Sequence, residues 1–248
     1  TGSTTPGIPV AADGERIGTG VAPNTYRGSD TATVTVFSTP VKSIIDTSEA
    51  HTGPVSGVER VAVGEIVRYR LVYLIAEGVA ANFRLEDDLL AGLLFLDDGT
   101  AMAALVSNGD GLTSSTLAGG GLIVSGNETT IAGIRPTFVL PDNAVSSSAI
   151  DPNADAYASG TNVFFWFGDL TNADRDVDQE FVVVEFNALV ENIAGNQAYN
   201  NVTGASTPVT LTNRFRTRIG AAGGTLGTYS AVLNAVVAEP LIIAPVKA

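Results

Sequence analysis

The run Gly64-Glu65-Ile66-Val67-Arg68-Tyr69-Arg70-Leu71-Val72-Tyr73-Leu74 repeats its character every second residue. This is the period of a strand, and it places Ile66, Arg68, Arg70, Val72 and Leu74 on one face and Val67, Tyr69, Leu71 and Tyr73 on the more apolar, core-facing side. A second run, Glu180 to Val190, has a Val-rich centre suited to an interior strand. Shorter runs follow the same logic: Thr31 to Phe37, the segment around Lys42, Phe83 to Asp87, Thr137 to Pro141, Asn162 to Gly168 with the only Trp, Pro208 to Ile219, and Tyr229 to Val237. In Leu89 to Leu96 a central Gly92 and flanking aspartates favour a turn followed by a strand over a helix. Residues 107–121 read as a Gly/Ser/Thr-rich loop and 143–160 as a long polar insertion. Short strands, frequent turns and almost no helical period predict an all-β, immunoglobulin-like β-sandwich, with a jelly roll or β-barrel as the alternative. Residues 1–30, rich in Gly, Pro, Thr and Ala, are expected to form an extended N-terminal arm, 31–228 the sandwich, and 229–248 a C-terminal strand or linker.

The 248 residues are enough for one large all-β domain. A formal charge of −13 opposes binding to nucleic acid or to an anionic membrane surface. No apolar run has the length to cross a bilayer, so membrane insertion is not expected, and the start at Thr1-Gly2-Ser3 looks like a processed end. Cysteine is absent, which removes disulfides and thiolate metal sites, and the single histidine, His51, has no partner for a catalytic triad or a zinc site. Phosphate-binding glycine loops and nucleophile elbows are also missing. No cofactor, no fixed metal centre and no enzymatic action on outside substrates are therefore expected.

Lysine occurs only twice, as Lys42 in Thr39-Pro40-Val41-Lys42-Ser43 and as Lys247 in Ala244-Pro245-Val246-Lys247-Ala248, although the chain carries eleven arginines. The segments leading into the two lysines also match. Such a chain reads as one period of a repeat array, or as a subunit whose tail resembles its neighbour's head, and the sparing use of lysine suggests lysine chemistry. The tail Val232 to Ile243 is apolar, and Val232, Val236, Val237, Leu241 and Ile243 are the expected assembly strand.

Lys42 in its early strand, Val63-Gly64-Glu65-Ile66-Val67-Arg68-Tyr69, Glu86-Asp87-Asp88-Leu89-Leu90-Ala91-Gly92-Leu93, Phe181 to Ala188, Gly195-Asn196-Gln197-Ala198, Leu211-Thr212-Asn213 and Val236 to Pro240 follow one another in an order that resembles the isopeptide-forming fimbrial and adhesin repeats of prokaryotic surface proteins. Leu90 stands where the family has proline. The resemblance covers roughly residues 31–248. It implies that a buried Lys amine attacks an Asn side-chain amide on another strand, expels ammonia, and is assisted by a protonated Asp or Glu. Burial serves this chemistry by lowering the lysine pKa and raising that of the acid. Carried onto this chain, the pair is Lys42 and Asn213 with Asp87 as the acid. Asn201 and Asn187 remain alternatives for the amide; Glu185, and after it Glu65, for the acid.

Asp174, Asp176 and Asp178 alternate in Asn172-Ala173-Asp174-Arg175-Asp176-Val177-Asp178-Gln179-Glu180 and could wrap oxygens around Ca²⁺, but the spacing is not that of an EF-hand and Arg175 opposes a cation. A solvated acidic loop is the simpler reading, and Asp97-Asp98-Gly99 is first a turn. Asn127 and Asn201 head glycosylation sequons. The expected function is that of a structural protein on the extracellular cell surface, a fimbria-like subunit whose main partner is itself in a head-to-tail homopolymer formed by strand exchange. The alternative is an adhesin module that meets a host or matrix surface through loops 107–121 and 143–160.

Overall fold

The computed structural model describes residues 40–50, 52, 54–109, 111–197, 208–221 and 223–238. The expectations placed on 1–37, His51, Asn201, Leu241, Ile243 and Lys247 lie outside these residues. In chain order the strands are β1 (Val41–Thr47), β2 (Glu59–Val61), β3 (Ile66–Ile75), β4 (Gly78–Leu89), β5 (Leu93–Phe95), β6 (Met102–Ser107), β7 (Leu112–Ser114) and β8 (Ile123–Ser125). They continue as β9 (Phe138–Val139), β10 (Val145–Ser146), β11 (Val163–Asn172), β12 (Glu180–Val190), β13 (Val209–Ile219), β14 (Thr225–Leu226) and β15 (Leu233–Val237). Three single-turn 3₁₀ segments are the only helical elements among the described residues, and none is long and apolar enough to cross a membrane.

Two sheets face each other as an immunoglobulin-like β-sandwich, the expected fold class. The first has the order β1-β3-β12-β6-β8, with β5 beside β12 and β9 beside β6. The second has the order β10-β11-β4-β13-β15-β2, with β14 beside β13 and β7 beside β11. Pairing is antiparallel apart from β6 with β8 and β15 with β2. Among the described residues both sheets keep open edges and do not close into a barrel.

The core lies between the sheets. Val67, Tyr69 and Leu71 of β3 and Val182, Val184 and Phe186 of β12 meet Leu85 and Leu89 of β4, Phe165 and Phe167 of β11 and Phe215 of β13. The Phe165 and Phe186 rings, 5.2 Å apart between centroids, join the two layers. Strand β12 is central, flanked by β3 on one side and by β6 and β5 on the other. Its outward Phe181 and Val183 are also buried, with Ala104, Val106 and Ile134, in a second apolar cluster. Cover on both faces explains why its sequence is a valine run rather than an alternation.

Several expectations need correction. The strand expected at Phe83–Asp87 starts earlier, at Gly78. The loop 107–121 contributes β7 to the edge of β11, and the insertion 143–160 contributes β10. Trp166, on the strand β11, is half-buried, its ring 4.4 Å from the Arg84 guanidinium. Within the run Tyr229 to Val237, expected as a strand, Leu233–Val237 forms β15, which pairs with β13 and β2 of the second sheet. The turn after β4 is as expected: Gly92 has φ +103°, and a Cβ there would lie 2.4 Å from Asn196 Oδ1.

Candidate functional site

Among the described residues, strand β1 is an edge strand held only by β3, with Lys42 opposite Leu71. The strand period points Val41 outward, 55% exposed, and Lys42 inward, where its side chain is wholly enclosed. Across the sandwich, β4 carries Asp87 between Leu85 and Leu89 on the same inner face, and all three are buried. Strand β13 runs beside β4 with Phe215 opposite Asp87 and Asn213 opposite Leu89. Asp87 and Asn213 are thus diagonal neighbours on one inner face. Lys42 Nζ donates to Asp87 Oδ2, and sits 4.6 Å from the Tyr69 ring centroid and 5.3 Å from that of Phe186.

The apolar, aromatic surroundings set the electrostatics. Burial pushes the Lys42 amine down to about 8, against the opposing pull of Asp87. Burial pushes the Asp87 carboxyl up, although Lys42 and Asn213 work the other way. The Tyr69 hydroxyl is also raised, first by burial and then by the Asp87 charge, so it stays protonated. Both shifts in the Lys42–Asp87 pair favour a neutral amine beside a protonated acid. The influence of Asn213 reaches Asp87 and Tyr69, yet neither its Nδ2 nor its Oδ1 makes a hydrogen bond of ordinary geometry, and Asp87 Oδ1 is likewise unpartnered. Leaving a buried polar group unpaired costs about 1–3 kcal/mol, and in this cluster the Asn213 amide and Asp87 Oδ1 are the groups left unsatisfied. A cleft lined by Asp88, Leu90, Thr212, Arg214 and Val232 borders Asn213.

The remaining candidates fall elsewhere. Glu185 opposes Arg70 on the far face of β12 and pairs with Arg70 at 3.2 Å and Arg68 at 3.3 Å. It lies on the wrong side of the sheet to serve Lys42. Asn187 shares that face, accepting from Arg68 and donating to Asp98 and Thr100. Glu65 accepts from Thr52 and from the Ala62 amide in the approach to β3. Of the assembly residues, Val237 is 2% exposed in the chain's own core, and Val236 pairs with Thr210 on one side and Arg60 on the other. This corrects the expectation that both are free for strand exchange; Val232, 53% exposed, precedes β15. Asn127 sits on a turn where its Oδ1 accepts from the Thr129 amide and hydroxyl. Asp174, Asp176 and Asp178 occupy the β11–β12 connection.

Sequence reasoning missed the Arg70 environment. Arg70 is 4% exposed, and its guanidinium donates to the Ile134 and Ile131 carbonyls as well as to Glu185. The period assigned it to an outer face but could not show that residues 131–134 cover that face.

No family model matches the chain, and no relative is found among curated protein sequences. Structure comparison matches it to the pilus backbone RrgB of Streptococcus pneumoniae, at 15% identity and TM-score 0.39 over 77% of this chain and 34% of that one. It also matches the major pilin subunit BcpA of Bacillus cereus, at 11% identity and TM-score 0.37 over 80% and 40% of the two chains. A third match is the collagen-binding domain of a Staphylococcus aureus adhesin, at 12% identity and TM-score 0.32 over 84% and 100%. The chain thus spans about a third of the pilus backbone's length.

Proposed function

We propose that this chain is a structural unit of an extracellular, cell-surface fibre or stalk that cross-links itself through an amide bond between Lys42 and Asn213. The observation that carries the reading is the enclosed Lys42–Asp87 pair facing a buried amide whose nitrogen and oxygen are both unpartnered. In the reaction, the Lys42 proton passes to Asp87, leaving a neutral amine. Nζ attacks Asn213 Cγ while the protonated Asp87 stabilises the developing charge on Oδ1. A proton taken from Nζ is handed to Nδ2, the Cγ–Nδ2 bond breaks, and ammonia leaves. One Nζ–Cγ bond replaces one Cγ–Nδ2 bond, and Asp87 keeps the proton it took from Lys42, so the event is a single turnover needing no cofactor.

The bond would join the edge strand β1 to the interior strand β13 of the opposite sheet. Tension entering before residue 42 and leaving after 213 would cross one covalent amide instead of unzipping the strands between them. A chain with no cysteine has no disulfide to do this. A pilus backbone and a major pilin are named among the matched structures; for this chain, head-to-tail assembly is proposed on its internal similarity around Lys42 and Lys247. The intact denatured protein is expected to weigh one ammonia less than its sequence mass, with the Lys42 peptide joined to the Asn213 peptide on mapping. A full mass with both peptides unmodified would remove the cross-link.

A further inference from the structure

We propose that the β11–β12 connection binds a calcium ion through the carboxylates of Asp174, Asp176 and Glu180. One oxygen from each lies within 4.8 Å of the other two. Calcium takes oxygen ligands at about 2.3–2.6 Å, so oxygens on one ion are at most about 5 Å apart. The three acids span a gap of that size.

The buried member is the informative one. Glu180 opens β12 opposite Ile75 and is 4% exposed. Asn172, at the end of β11, donates to Glu180 Oε2 at 2.8 Å and to the Ile75 carbonyl at 3.2 Å. This fixes the carboxylate and leaves Oε1 enclosed with no hydrogen-bond partner. A buried carboxylate oxygen without donor or cation is costly, and with Oε2 engaged, Oε1 is the oxygen open to an ion. Asp174 is held as firmly. Its amide donates to Asn172 Oδ1 at 3.1 Å and its Oδ2 accepts from Ser107 Oγ at 3.0 Å. A Cβ on Gly109 would lie 2.5 Å from Asp174 Oδ2, so the preceding loop closes tightly on it. Asp176 is exposed, with Oδ1 accepting from the Asp178 amide at 3.1 Å, which leaves the outer side of the site open to water.

The charge points the same way. Asp174, Asp176, Asp178 and Glu180 crowd one connection, while Arg175 is exposed and makes no ion pair among the described residues. The donors are all hard oxygens, which select calcium or magnesium over zinc or copper. An irregular site mixing one buried carboxylate with a water-exposed side suits calcium's flexible shell better than magnesium's octahedron. The sequence pattern offered Asp178 as the third ligand; the fold puts Glu180 there.

The test uses the full chain freed of metal by chelation, titrated calorimetrically with CaCl₂ and melted with CaCl₂, MgCl₂ or NaCl at matched ionic strength. One calcium per chain is expected, with Tm raised by about 3–6 °C at ten times Kd. Asp176→Asn, at an exposed position that keeps the fold, should weaken binding at least tenfold and cut the Tm response to about a third or less, and Glu180→Gln should do the same. Asp46→Asn removes an equal charge opposite Arg68, at the other end of β3, and should leave the response intact. Equal stabilisation by NaCl or MgCl₂, or a calcium response retained by Asp176→Asn, would overturn the site. The outcome is independent of the mass of the Lys42 peptide.

Discussion

Asp87→Ala is expected to leave the protein at its full sequence mass and to lower Tm by well over 10 °C. Two effects add. The first is loss of the cross-link, which closes a loop of about 170 residues between Lys42 and Asn213 and on chain entropy stabilises by about 5 kcal/mol, or about 10–20 °C in a domain of this size. The second is the enclosed Lys42 amine left with no hydrogen-bond partner, and a buried polar group unpaired in this way costs about 1–3 kcal/mol. Lys42→Met separates the two: it also keeps full mass, but an apolar chain takes the place of the amine, so its Tm should fall by the first share only. Glu185→Gln gives the opposite pattern. It unpairs Arg70 and Arg68 on the outer face and should destabilise the sandwich while keeping the ammonia deficit. A deficit that survives Asp87→Ala and disappears in Glu185→Gln would mean the acid has been assigned to the wrong strand. Mass spectrometry and thermal melts of the three variants decide it.

A chain ending at residue 232 is expected not to fold, whereas one ending at Ala238 should fold with an unchanged Tm. Strand β15 pairs with β13 from Val209 opposite Val237 to Asn213 opposite Leu233, and with β2 on its other side. Removing it exposes the core around Ala235 and Val237 and strips the ladder partner from the strand that carries Asn213. One buried Val side chain alone contributes about 1.5–3 kcal/mol, against a total margin of about 5–15 kcal/mol, and the unpaired backbone groups of β13 and β2 add to the loss. The assembly proposal therefore has to be tested with the longer truncation, which keeps β15 and removes Leu241, Ile243 and Lys247. Under that proposal the Ala238-ended chain is a folded, cross-linked monomer that no longer forms fibres. Fibres of normal length from it would leave the tail without an assembly role. Circular dichroism on both truncations and electron microscopy on the longer one are sufficient.

Much of the architecture was legible along the chain. The period of two in β3 correctly sorted Val67, Tyr69 and Leu71 into the core, because side-chain alternation is a local property of extended backbone. The scarcity of lysine drew attention to Lys42, while its burial was implied only by the family resemblance. The resemblance put Asn213 and Asp87 first, but the residues themselves could not exclude Asn187 and Asn201 for the amide, or Glu185 and Glu65 for the acid. Glu185 lies in as apolar a strand as Asp87 does, and its neighbours in sequence do not reveal that its face turns to Arg70. Which carboxylate meets the amine depends on register between β4 and β13 and on the packing of β1 across the core, contacts that link residues 42, 87 and 213. The same holds for Glu180, read as part of a strand and held by the Asn172 side chain, across the β11–β12 connection, beside Asp174 and Asp176. The sequence by itself determined the strands, the faces they offer and the chemistry they carry. Only the tertiary structure decided which faces meet, because alternation names two sides of a strand and long-range packing alone selects what lies opposite each of them.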